Sequence, residues 1–175
     1  FAGFGLWAID RLGGLAYLRF KMQHQGVTGV YAHRVDQFRH HPTPAGAVVF
    51  AGNSLTAQGA WGEWYPQWPV YNRGIEGDQT HWLAKRLDPM LDHPPAVLVL
   101  MIGINDLIAT GPETVLERHA DLLDTLTRRS PHTQVLMQSV LPVNGDLRHV
   151  GIKNSSIRSL NQGLIQVFLS HHQRF

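Results

Sequence analysis

Four short apolar runs punctuate the chain. Ala47–Ala51 (AVVFA) and Ala96–Ile102 (AVLVLMI) are continuously hydrophobic, the pattern of strands buried on both faces. Gln134–Val140 predicts a further strand around Val135-Leu136-Met137, and Val70–Asn72 a weaker one. Between them the period changes. Trp82, Leu83, Leu87 and Leu91 predict a helix over roughly 80–91, which Pro89 must bend or end. Thr110 and Glu113 are spaced as a capping box with Pro112 in the first turn, and Val115, Leu116, His119, Leu122, Leu123 and Leu126 fall on one face of the helix they start. Ile157, Leu160, Leu164 and Val167 predict a last helix from Asn154 onward. Strands alternating with helices argue an α/β fold with a parallel sheet covered on both faces.

Ahead of this regular pattern the chain behaves differently. It begins with Phe1 rather than Met, and Phe1–Leu18 is mostly apolar and aromatic but interrupted by Asp10 and Arg11. That is short of a convincing membrane span. With Arg19 and Lys21 following directly, it reads either as the tail of a signal anchor or interfacial helix, or as a helix packed on the domain. His40-His41-Pro42-Thr43-Pro44 reads as a linker, since two prolines in three residues resist helix and interior strand. The expected organisation is therefore an N-terminal leader or membrane-proximal segment over 1–41 and a domain over 45–175.

Charge sharpens that division. The 175 residues carry 15 Lys and Arg against 13 Asp and Glu, a net charge of +2. Residues 1–41 hold Arg11, Arg19, Lys21, Arg34 and Arg39 against Asp10 and Asp36, so the remainder is close to neutral. This is weak footing for a nucleic-acid partner. With 43% hydrophobic and 16% charged residues the chain is not a disordered one. The absence of cysteine excludes disulfides, thiolate metal sites and a Cys nucleophile. The 11 histidines show no HExxH or other metal-ligand spacing, so no metal is expected. Gly74-Ile75-Glu76-Gly77 lacks the spacing of a dinucleotide loop, and no phosphate-binding GK[ST] occurs, so no cofactor is expected.

In an open parallel sheet, ligands bind beyond the carboxyl ends of the strands. Three of the four strands end in loops of small and polar residues: Gly52-Asn53-Ser54, Asn72–Asp78, and Gly103-Ile104-Asn105-Asp106. Meeting at one sheet edge, they bring together a hydroxyl, a glycine N–H and a carboxamide, the minimum set for acyl transfer. Gly52-Asn53-Ser54-Leu55, Asn72–Asp78 and Gly103–Asp106 resemble, in order, the first three sequence blocks of the SGNH/GDSL hydrolase family. The likeness runs over about residues 31–170 and includes Ser139–Asn144 and Leu160-Asn161. It is strongest toward lysophospholipase-like and platelet-activating-factor acetylhydrolase-like esterases.

The resemblance implies a three-layer α/β/α, flavodoxin-like sheet in strand order 2-1-3-4. It implies Ser54 as nucleophile, with the Ser54 N–H, the Gly77 N–H and the Asn105 side chain as oxyanion donors. The substrate would be a lipid, sugar or aryl ester. Asn53 departs from the usual Asp. The family's catalytic Asp and His sit in a DxxH block after a fifth strand, expected here beyond Phe175, so these residues alone are expected to be nearly inactive and β4 to present an unpaired edge. Asp146-Leu147-Arg148-His149 matches the DxxH string but falls one strand too early, and reads as a loop. His171 and His172 read as tail residues. Two other classes stay open: a catalytically incomplete binding module, and a flavodoxin-like phosphate or flavin binder.

Several residues have competing structural roles. Ser54 could simply cap a helix. Asp78 and Asp106 read as loop-stabilising carboxylates. Arg73 reads as a salt-bridge brace or a contact to an anionic substrate. Trp61, Trp64, Tyr65 and Trp68 read as core packing or as an aromatic wall for substrate.

Overall fold

The computed structural model describes residues 29–144 and 151–172. The apolar stretch Phe1–Leu18 and the Asp146–His149 string lie outside the described residues. Four parallel strands form one sheet: β1 (Val48–Gly52), β2 (Val70–Gly74), β3 (Val97–Met101) and β4 (Gln134–Met137), in the order β2-β1-β3-β4. This is the expected strand order, and β1 lies between β2 and β3.

The alternation of side chains along the strands sorts the two faces. Val49, Ala51, Leu98, Leu100 and Val135 point to one face and form the main core with Leu83, Leu87, Leu122, Leu123 and Leu126. Those partners come from α4 (Thr80–Lys85), the turn after it, and α6 (Pro112–Arg129). A second cluster joins Val115 to Ile157, Leu160 and Leu164 of α7 (Asn154–His172). The opposite face carries Phe50, Val97, Val99 and Leu136, and is met by α2 (Ser54–Gln58) and α3 (Trp61–Trp64), with Trp61 stacked on Phe50 at 4.1 Å.

Three local expectations are corrected. The helix expected over 80–91 is broken into α4 and α5 (Asp88–Leu91), because the chain turns at Arg86 and Leu87 and Pro89 opens a new short helix. Helix α6 is capped by Gly111 without a side-chain cap, and Pro112 is its first residue. Thr110 does not form the capping box: its hydroxyl donates to the Asp106 carbonyl (3.0 Å), which removes it from competition for the α6 N–H groups. Strand β4 stops at Met137, three residues short of Val140. Beyond it two asparagines of α7 substitute for a neighbouring strand. Asn161 bonds both the N–H and the carbonyl of Val140 (2.8 and 2.9 Å), and Asn154 does the same to Val143 (2.9 and 2.9 Å).

Within residues 1–41, α1 (Gly29–His40) is helical and packs on the domain, burying Tyr31 and Phe38 against Ile75. No described helix is long and apolar enough to cross a membrane.

Candidate active site

Strand β1 ends at Gly52, in register with Gly74 of β2 and Met101 of β3. Ser54, Gly77 and Asn105 stand two, three and four residues past those three aligned positions. Neighbouring strands are about 4.8 Å apart, so the three loops rise side by side from the same sheet edge.

The first loop turns directly into α2. Its cap is Asn53, whose side-chain oxygen accepts from the Leu55 N–H at 3.0 Å. Ser54 is therefore the first helical residue rather than the cap, and its half-buried hydroxyl has no hydrogen-bond partner among the described residues. The substitution of Asn for Asp at 53 keeps the cap, because capping needs only an acceptor oxygen.

The second loop is tied to the first by Asn72. Its amide donates to the carbonyls of Thr56, Ala57 and Gly59 (2.9, 3.0 and 3.2 Å), the carboxyl end of α2, and its oxygen accepts from Gly74 N–H at 2.9 Å. The Ile75 N–H donates to the Gly52 carbonyl at 3.0 Å. Gly77 has φ of 75°, a conformation that disfavours any residue with a Cβ.

The third loop meets the second through Asn105, whose side-chain amide donates to the Asp78 carbonyl at 2.8 Å. Gly103, at φ 118°, lies over the His119 ring. His119 is fully buried, with Nδ1 2.8 Å from the Val115 carbonyl and a further contact to the Ile102 carbonyl, and burial pushes its pKa down. The buried imidazole packs directly beneath the Gly103 turn and supports it from below.

Two buried carboxylates brace these loops, as expected of them. Asp78 Oδ2 accepts from Arg86 Nη2 (2.6 Å) and Nε (2.9 Å), and Arg86 Nη2 also reaches the Gly52 carbonyl (3.4 Å). Burial pushes the Asp78 carboxyl above its usual range, with Arg86 opposing. The Tyr31 phenol of α1 sits at this pair, and burial and the nearby Asp78 charge push its pKa up, so it stays protonated. Asp106 accepts from the Thr80 N–H (2.9 Å), the Thr80 hydroxyl (3.1 Å) and Arg118 (2.7 Å). Each of the three loops is thus bonded to another loop or to the helix beneath it.

Other expectations change. Among the described residues Arg73 makes no salt bridge. It is buried, donates to the His41 carbonyl (2.6 Å), and lies over the Phe38 ring at 4.7 Å. Trp61 packs on the sheet, but Trp64, Tyr65 and Trp68 are exposed. Tyr65 and Trp68 border a concavity of about 460 Å³ over the open sheet face. His171 is not a tail residue: it belongs to α7, is buried, and bonds the Val167 carbonyl (2.7 Å) and Asp124 (3.2 Å). Arg86 was not singled out by the sequence. Its spacing of eight after Asp78, one helix further on, was the available signal.

Comparison with known proteins identifies the family and the fold. Residues 50–173 match the GDSL-like lipase/acylhydrolase family, and the chain belongs to that family. Among solved structures, a candidate platelet activating factor from Streptococcus pneumonia superposes with a TM-score of 0.73 at 22% identity, over 86% of this chain and 75% of that one. A GDSL-like lipase from Bacteroides thetaiotaomicron gives 0.58 at 20% identity, over 90% and 74%. An acetylxylan esterase from Geobacillus stearothermophilus gives 0.55 at 15% identity, over 75% of each chain. At these identities the likeness shows the fold. No curated protein matches the chain. Family membership supports ester hydrolysis as the general chemistry.

Proposed function

We infer that Ser54 is the nucleophile of a serine-dependent carboxylic-ester hydrolase. Its oxygen attacks the ester carbonyl, the alcohol leaves, and water releases the acid from an acyl-enzyme on Ser54. The tetrahedral oxyanion is held by the N–H groups of Ser54 and Gly77 and by Asn105. An asparagine amide has two N–H bonds; with one donating to the Asp78 carbonyl, the other remains for the oxyanion. The substrate is a small-molecule ester of lipid, sugar or aryl type.

One observation carries this reading. Asn53 performs the capping that Ser54 would otherwise perform, leaving an unpartnered hydroxyl at the edge where the loops of Gly77 and Asn105 are bonded together. The test is p-nitrophenyl acetate hydrolysis by the full-length protein, including the DxxH block expected beyond Phe175, and by its Ser54→Ala variant. The expected loss in kcat is about 10⁴–10⁶-fold, as for removal of a triad nucleophile. Hydrolysis unchanged in Ser54→Ala would overturn the assignment.

A second reading is an ester-binding module of the same fold without turnover. It is favoured by the absence, among the described residues, of a histidine bonded to the Ser54 hydroxyl. It predicts ester binding without turnover, weakened by Asn105→Ala.

A further inference from the structure

Behind the strand-end loops lies a small internal cavity with an unusual charge balance. It is bordered by Phe38 of α1, Pro42 and Thr43 of the segment before β1, Arg73 of β2, and Arg86 and Met90 beyond α4. Its volume of about 10 Å³ is room for roughly one water-sized particle. Thr43, Arg73 and Arg86 are 1%, 8% and 5% exposed, so all three polar side chains are inside the protein.

Two of them point donors at nothing. Arg86 spends Nε and Nη2 on Asp78, while its buried Nη1 has no partner. The buried Thr43 hydroxyl also has none. Such groups are costly to leave unmade, and two lining one cavity point to a shared acceptor.

The charges say what kind of acceptor. Arg73 and Arg86 are two buried cations, and Asp78 is the one described carboxylate paired with either. Among the described residues Arg73 bonds only carbonyls, those of His41 and Asn72. The Phe38 ring lies 4.7 Å from the Arg73 guanidinium and 5.9 Å from that of Arg86, offering quadrupole attraction but no net charge. Tyr31 stays a neutral phenol, as shown above. Among the described side chains one positive charge is left uncompensated in a low-dielectric interior, where a neutral water supplies an acceptor but no charge.

We propose that this cavity is a binding site for one small monovalent anion of the halide class, held by Arg86 Nη1 and the Thr43 hydroxyl and balanced by the charge of Arg73. The anion sits on the far side of the guanidinium that holds Asp78 and the Gly52 carbonyl, so its occupancy stiffens the base of the first two loops. The proposal rests on packing and charge, independently of the esterase reading.

The test uses crystals of the protein grown in sodium bromide with chloride excluded, and an anomalous difference map. A bromide peak within hydrogen-bond distance of Arg86 Nη1 and Thr43 Oγ1 is expected. In thermal melts at constant ionic strength, chloride or bromide replacing gluconate is expected to raise Tm saturably. Thr43→Val, which keeps shape and removes the donor, is expected to need about tenfold more halide for the same rise. A site without anomalous signal, or a Tm indifferent to the anion, overturns the proposal, as does an unchanged halide dependence in Thr43→Val. Should that variant fail to fold, the bromide map decides alone. Neither measurement involves ester turnover, so a failure here and a failure of Ser54 as nucleophile are told apart.

Discussion

At the end of β1, the Gly52 carbonyl accepts from Ile75 and from Arg86, and Arg86 in turn grips Asp78. Two residues earlier on the same strand, Phe50 stacks on aromatic rings, Trp61 at 4.1 Å and Tyr65 at 6.0 Å, among aliphatic neighbours of the open face. The loop rim is organised by directional bonds and paired charges, whereas the open sheet face is organised by apolar area. Directional networks fail as a unit when one member goes, because the partners stay buried and unpaired. An apolar face that still sees solvent loses only what each side chain had removed from water.

The sharpest way to break the comparison is Arg86→Met. It leaves the Asp78 carboxylate buried without its cation, with an expected loss of about 3–5 kcal/mol in urea denaturation. A loss under about 1 kcal/mol would show that the rim is not held by this pair. Next, Leu98→Ala empties a fully buried position of the covered face and is expected to cost about 2–5 kcal/mol.

A smaller, pH-dependent effect belongs to His119. Its folded pKa lies below the ordinary value of 6.5, so the unfolded chain takes up the proton first as pH falls. Its contribution is complete above about pH 6.5 and is lost progressively below it. Comparing urea stabilities at pH 7.5 and 5.0, His119→Gln is expected to lose less on acidification than the parent. The smallest effect is expected at Leu136, 46% exposed on the open face: Leu136→Ser is expected to stay within about 0.5 kcal/mol. A large loss there would mean that the face is covered more completely than Leu136 indicates.

Legibility in the sequence followed the same division. The strands were readable because continuous apolar runs such as Ala96–Ile102 have few other uses, and their order followed from the resemblance in the Gly52, Asn72 and Gly103 loops. The ends of elements were less legible. Thr110 looks like half of a capping box, yet the nearby Asp106 carbonyl takes its hydroxyl, a contact set by the turn's three-dimensional path. Val140 continues the pattern of β4, but Asn161 on α7 claims its backbone from 21 residues away. Arg73 resembled a brace with a carboxylate partner because sequence distance hides that its neighbour is the His41 carbonyl. Side chains whose partners come from another layer are the ones that pattern reading misses.

Helix α2 has five residues, too few to hold together in isolation, where the nucleating turn costs more than the short ladder returns. Here Asn53 secures its first turn and Asn72 takes the carbonyls at its last. Clamped from both ends by carboxamides, so brief a coil gains the persistence of the sheet beside it. Its main-chain hydrogens are therefore expected to trade with deuterated solvent as slowly as those of β1, on the clock of whole-domain opening rather than of fraying.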